Sequence, residues 1–205
     1  GISVPMIDRA KNLANAEKIL NTSYLVQDIQ LEPLEADKYD AAFSRFGVMF
    51  FDEPKEAFIN IYNSLKDSSP LSFVCWQSPK VNPWHGVASM VLKQHLDLPV
   101  PEKRAPSPFA FQEPDYIDDI LTTAGFKNIM IEPLALEILW FADQSLDEAV
   151  FNFMSLNPVI AESMKSVKAE TKDKITSELG EAFKPFMTDK GLVFDSATWI
   201  VSANK

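Results

Sequence analysis

The stretch Asp40-Ala-Ala-Phe-Ser-Arg-Phe-Gly-Val-Met-Phe-Phe-Asp52 passes from an apolar segment through a polar break and back to an apolar one. Tyr39 to Phe43, behind the acidic lead-in of Glu35 and Asp37, reads as a strand buried on both faces of a parallel sheet. Ser44, Arg45 and Gly47 interrupt it, and Val48 to Phe51 supply four apolar residues before Asp52-Glu53-Pro54 opens a helix. A polar break at the C-terminal end of a buried strand, followed by a helix, is where open α/β sheets bind ligands. A plain strand-to-helix turn is the alternative reading of the same residues.

Upstream, Ser3 as N-cap, Pro5 in the first turn and Met6, Ala10, Leu13, Ala14 and Ile19 along one face predict a helix. Tyr24 to Ile29 reads as a short strand closing on Asp28, and an acidic connector, 31–38, follows. Downstream, Ala57, Phe58, Ile61, Tyr62 and Leu65 give residues 54–65 a helical stripe, and Leu71 to Trp76 form the next buried strand. The Pro-rich stretch 77–114 carries a helix at Val87 to Leu96; connections this long inside a compact domain usually serve as lids or binding loops. A helix at Pro114 to Ala124 with Gly125 past its end leads into a strand from Phe126 to Leu136. Ser145-Leu-Asp-Glu148 is a capping-box pattern, Asn157-Pro158 opens another helix, an amphipathic helix covers about 170–186, and Gly191 to Ser202 closes the chain as a strand. The alternation predicts one α/β domain with a mostly parallel sheet, an antiparallel C-terminal strand and lid segments at about 77–113 and 140–190.

Composition narrows the partners. The 205 residues carry a formal charge of -10, which lacks the basic footprint of a nucleic-acid binder and disfavours an anionic membrane surface. A single cysteine, Cys75, excludes an internal disulfide and a thiolate cluster. With no signal peptide and no apolar run long enough to span a bilayer, the cytoplasm is the expected compartment. No spacing of His, Cys and carboxylates suggests a metal.

Five collinear motifs resemble a known family. Asp40 to Pro54, with Ala57-Phe58 after it, looks like the fourth-strand motif of the class I S-adenosylmethionine-dependent methyltransferases, in a small-molecule branch similar to the ubiquinone and menaquinone methyltransferases. Ile2-Ser-Val-Pro-Met-Ile7, Val26-Gln-Asp28, Phe73-Val-Cys-Trp76 with Asn82-Pro-Trp84, and Pro108-Phe-Ala-Phe111 leading to Ala124-Gly-Phe126 fall in the family's order. The family's glycine-rich cofactor loop has no counterpart, because no two of the six glycines lie close together, and Gly1 stands where an acidic residue should bind the ribose. The expectation is an N-terminally truncated member lacking the first strands. An exposed edge on the organising strand would follow, to be paired by Tyr24 to Ile29 moving in beside Ala41 to Phe43, or by a second copy in a homodimer.

The resemblance implies S-adenosylmethionine as cofactor. Asp28 would accept from the adenine amino group, with Ile29 beside the ring and Ile2 on its other side; Ser44, Arg45, Phe46 and Gly47 would lie along the methionine moiety, mostly through backbone. A solvated strand-end carboxylate and a salt-bridged loop arginine are the plain alternatives for Asp28 and Arg45. Met49, Trp84, Phe109, Phe111 and Trp140 are candidates for an acceptor pocket for a small apolar or aromatic molecule, with core packing the other use of such bulk. His85, one of two histidines, is the candidate general base. A catalytically inactive fragment or interaction module is the competing reading. A nicotinamide-dependent dehydrogenase is disfavoured, since its dinucleotide fingerprint is missing too.

Overall fold

The computed structural model describes residues 1–99, 102–156 and 158–205. Four strands build the sheet that positions the site: β1 (Ala42–Arg45), β2 (Pro70–Trp76), β3 (Lys127–Trp140) and β5 (Gly191–Asn204), in the order β1-β2-β5-β3, with the two-residue β4 (Met187–Thr188) pairing β5. β1 runs parallel to β2, and β5 runs antiparallel to β2, β3 and β4, so β5 alone opposes the common direction. The expected α/β class, with a mostly parallel sheet and an antiparallel C-terminal strand, is what the chain adopts.

The helices form where caps and apolar spacing place them. α4 (Pro114–Ala124) has Pro in its first turn and ends on Gly125 at φ 103°, a left-handed conformation that a Cβ disfavours. α5 (Leu146–Leu156) opens with the capping box: the Ser145 N–H and hydroxyl donate to Glu148 at 2.8 and 2.7 Å, and the Glu148 N–H returns to Ser145 Oγ at 3.4 Å. α1 (Val4–Ala16), α2 (Pro54–Ser64), α6 (Pro158–Lys165) and α7 (Ala169–Phe183) lie where periodicity puts them. Asn157, expected to open α6, lies outside the described residues. α3 (Pro83–Leu92) starts four residues before its expected onset, because Pro83 fits a first helical turn.

Two apolar clusters lie on opposite faces of β5. Phe58, Leu71, Phe73, Cys75, Ile117, Ile120, Leu121 and Val201 join α2 and α4 to β2 and β5. Trp84, Leu92, Val150, Ile175, Leu179, Phe183 and Phe194 join α3, α5 and α7 to the other face. Val201 and Phe194 differ by seven positions, an odd step that puts them on opposite sides of the strand. Each fully buried Leu, Ile or Phe contributes on the order of 2 kcal/mol to the folded state.

Two expectations for the N-terminal third are corrected. Residues 24–29 form no strand and do not move in beside β1; the segment is held by one backbone bond, Gln27 N–H to the Gly1 carbonyl at 3.1 Å, and ends in a turn where Leu31 and Glu32 donate to the Asp28 carbonyl. Leu25 and Val26 remain exposed, so no apolar burial drives the segment into a sheet. Val48–Phe50 is a 3-10 turn rather than resumed strand, burying Val48 and Met49. Among the described residues β1 is therefore an edge strand whose only partner strand is β2. Phe43 stands 88% exposed on its uncovered face.

Candidate functional site

The C-terminal ends of β1 and β2 meet in a tight construction. Phe46, just past β1, has φ 55°, an unusual conformation for a bulky side chain and one associated with functional sites. Its N–H donates to the Val74 carbonyl at 3.1 Å, and its ring stacks on Trp76, the last residue of β2, with centroids 4.2 Å apart and planes within 16°. The left-handed residue turns the chain out of the strand so that Gly47 can begin the 3-10 turn. A Cβ on Gly47 would come within 3.1 Å of Ser44 Oγ, so glycine keeps this turn close to the strand end. Arg45 is exposed and forms no ion pair among the described residues, leaving its guanidinium unclaimed.

Asp28 is tied to the start of α2. Its Oδ1 accepts from the Gln30 N–H at 3.0 Å and from Gln30 Nε2 at 3.1 Å, while Gln30 Oε1 accepts from the Glu53 N–H at 2.7 Å. Asn60 of α2 donates to the Ile29 carbonyl at 2.7 Å, and Ile29 packs against the first core cluster. The Gln27–Gly1 bond brings the chain start alongside, so Ile2, 72% exposed, neighbours Asp28. These contacts hold Asp28 with one oxygen engaged and the other free to accept. Of the residues expected to hold S-adenosylmethionine, Ile2, Asp28 and Ile29 thus lie in the segment tied to the chain start and to α2, and Ser44 to Gly47 lie at the end of β1.

The expected acceptor residues divide between the two apolar clusters. Met49 and Phe111, each 1% exposed, sit in the first core cluster, Phe111 against Phe58 and Phe73. Trp84, Phe109 and Trp140 belong to the second, where Trp84 lies 5.0 Å from Trp76, 5.5 Å from Phe109 and 5.1 Å from Trp140 by ring centroid. An aromatic chain thus runs from Phe46 through Trp76 and Trp84 to the lid. His85 packs its ring 4.7 Å from Phe109 and shares a 3.3 Å hydrogen bond with Ser89 Oγ through Nε2. Burial, with Lys93 nearby, lowers its pKa and keeps the imidazole neutral near pH 7, the state a base requires.

Asn82 enters the sequence reading only as the first residue of the Asn82-Pro-Trp84 motif, with no role of its own. It is fully buried, and its Nδ2 donates to the carbonyls of Gln77, Ser78 and Ala197 at 3.3, 3.1 and 3.1 Å. Its Oδ1 accepts from Trp84 Nε1 at 3.1 Å and the Ala197 N–H at 3.0 Å. One side chain therefore clamps the loop after β2 onto β5 and fixes the first turn of α3. Its sequence signals are that motif and its position before Pro83, and neither points to a buried amide.

Burial pushes the Cys75 thiol up to about 12, which makes it an inert core residue. Among the described residues no group of three or more His, Cys, Asp or Glu could hold a metal ion, and no helix is long and apolar enough to cross a membrane.

Residues 1–73 match the model of the methyltransferase domain family. The whole chain superposes on solved methyltransferases, among them a candidate methyltransferase of Bacillus halodurans (15% identity, TM-score 0.56). The fold is that of the class I methyltransferases. The YcgJ protein of Bacillus subtilis is similarly related (14% identity, TM-score 0.57), and each alignment covers 100% of this chain and 80% of the Bacillus protein. Phosphoethanolamine N-methyltransferase 2 of Haemonchus contortus, solved with S-adenosyl-L-methionine, matches at 15% identity and TM-score 0.53; here too all of this chain is covered, but only 42% of the longer enzyme. No curated protein matches the chain in sequence. In the methyltransferase fold, β1, β2, β5 and β3 take the order expected for strands four, five, seven and six. Asp28 and the 44–47 loop fall within the matched residues.

Proposed function

We propose that the protein transfers a methyl group from S-adenosylmethionine to a small acceptor. The observation that carries this is the match of residues 1–73 to the methyltransferase domain, which contains both Asp28, anchored through Gln30 to Glu53, and the left-handed Phe46 turn at the end of β1. When bound, the cofactor supplies a sulfonium methyl that is already activated, so the protein's part is positioning and exclusion of water. Asp28 holds the adenine amino group by its free oxygen, between Ile2 and Ile29. Ser44, Arg45, Phe46 and Gly47 line the methionine end. The Phe46–Trp76 stack presents an apolar wall to the transferring group, and His85, neutral and half-buried, stands in the lid as base for an acceptor that must lose a proton. The rings of Trp84, Phe109 and Trp140 favour an acceptor with some apolar surface. The cytoplasm remains the proposed compartment.

The test is S-adenosylhomocysteine release from S-adenosylmethionine in the presence of small amines, phenols and carboxylates. Acceptor-dependent release supports the reading; cofactor binding without release for any acceptor class contradicts it.

A second reading is favoured by the bare edge of β1. An exposed Phe43 beside a strand edge that is unpaired among the described residues is a feature that proteins ordinarily cover. On this reading two chains pair edge to edge through residues 41–43 as a homodimer, and the chain acts as an interaction module without catalysis.

A further inference from the structure

A cleft of about 450 Å³ opens beyond the end of β2, walled by Ser78, Lys103, Arg104, Gln112, Glu113 and Asp115. It is attached to the sheet from two sides. Ser78 lies two residues past Trp76, whose ring stacks on Phe46 of the cofactor loop. Gln112 accepts at its carbonyl from Trp199 Nε1 of β5 at 3.0 Å. The cleft therefore adjoins the place where a methyl group would be presented, and its size suits a small molecule.

Its lining is charged rather than aromatic. Glu113 holds two cations: Lys103 Nζ at 2.9 Å on one oxygen, and Arg104 Nη2 at 3.0 Å and Nε at 3.3 Å on the other. Arg104 also lies over the Tyr116 ring, 4.1 Å from its centroid, which fixes the guanidinium plane. With both carboxylate oxygens of Glu113 engaged, the triad keeps one net positive charge and spare donors on Arg104 and Lys103. Asp115, in the first turn of α4, makes no ion pair or side-chain hydrogen bond among the described residues. The cleft thus offers donors for an oxyanion and one free carboxylate for a cation.

We infer that this cleft receives a small zwitterion, its carboxylate on Lys103 and Arg104 and its ammonium on Asp115, so that the methyl acceptor is an amino-acid-like amine whose nitrogen, after giving one proton to Asp115 or to solvent, forms the new N–C bond as the C–S bond of the sulfonium breaks and S-adenosylhomocysteine leaves; this rests on the methyl-transfer reading above. A lone anion would meet Asp115 and the field of a chain carrying -10, and a lone cation would meet Lys103 and Arg104. A zwitterion is indifferent to the overall field and satisfies both poles.

The experiment is titration of the full chain with glycine and β-alanine, against acetate and methylammonium chloride at equal ionic strength, followed by NMR. One of the two zwitterions binds in roughly the millimolar range and at least about five-fold tighter than either single-charge probe. Arg104→Ala weakens it about ten-fold. Asp115→Asn reduces the zwitterion to the affinity of acetate while leaving acetate unchanged or tighter, a selectivity change that a folding defect does not produce. Acetate binding as tightly as both zwitterions, or no probe binding, overturns the inference. S-adenosylhomocysteine is titrated separately: cofactor binding without zwitterion binding removes this inference alone, and zwitterion binding without cofactor binding removes the methyl-transfer reading and the acceptor role with it, leaving only the zwitterion site.

Discussion

Phe46 and Trp76 stack face to face at 4.2 Å, joining the loop after β1 to the last residue of β2. The stack stabilises a backbone that Phe46 would otherwise avoid, since φ 55° costs a non-glycine residue about 1 kcal/mol. Phe46→Gly and Phe46→Ala both lose the ring contact, but glycine accepts the conformation freely. Urea denaturation should place Phe46→Gly about 1 kcal/mol above Phe46→Ala in stability. Equal stability would show that the turn relaxes once the ring is gone.

Removing the amide of Asn82 strands the Trp84 and Ala197 N–H donors and three carbonyls in a buried site. Asn82→Ala should cost at least about 3 kcal/mol in denaturant unfolding, since each buried orphan costs on the order of 1–3 kcal/mol. Asn82→Asp keeps the acceptor but faces three carbonyls with a charge, so it should rescue nothing. Wild-type stability in either variant would mean that the loop after β2 is not held by this side chain.

Gly191 begins β5 at φ 125°, and a Cβ there would stand 2.6 Å from the Phe141 carbonyl oxygen and 2.9 Å from that of Trp140. Both are backbone atoms that cannot swing aside. Gly191→Ala should destabilise by at least about 2 kcal/mol, read as a lowered melting temperature.

Burial lowers the His85 pKa in the fold, while the unfolded chain protonates near the ordinary 6.5. Below that pH the unfolded state binds a proton that the native state refuses. Its contribution to stability is therefore present above about pH 6.5 and is lost as pH falls toward the folded value. Unfolding from pH 8 down to 5 should show this loss, and His85→Gln should flatten it. An unchanged slope in the variant would assign the titration elsewhere.

Much of the sheet was legible because it is written in contiguous signals. Leu71 to Trp76 and Gly191 to Ser202 are apolar runs that burial turns into β2 and β5, and Pro114 with Gly125 brackets α4 at both ends. Residues 24–29 misled because Leu25 and Val26 carry strand propensity without a neighbouring strand to bury them, and propensity yields to tertiary context. Asp28 and the 44–47 loop are candidates through motif order alone. Asn82 stands in a motif too, but its clamping role was not legible, since a single buried amide leaves no periodicity. The charged cleft was hidden too: Lys103, Arg104 and Glu113 look like ordinary surface residues until folding sets two cations on one carboxylate.

The bare edge of β1 gives the pairing proposal its test in multi-angle light scattering. A homodimer should appear for the wild type and dissociate in Phe43→Lys, because a charge on an exposed edge discourages strand addition. A monomer at all concentrations would contradict edge pairing.

Calorimetric titration with S-adenosylhomocysteine tests the cofactor reading most directly. A dissociation constant in the micromolar range, roughly -8 kcal/mol, is expected for the wild type, weakened about ten-fold or more in Asp28→Ala as its acceptor is lost. Absence of heat at about millimolar ligand, or binding that Asp28→Ala leaves intact, would contradict the assignment of this site.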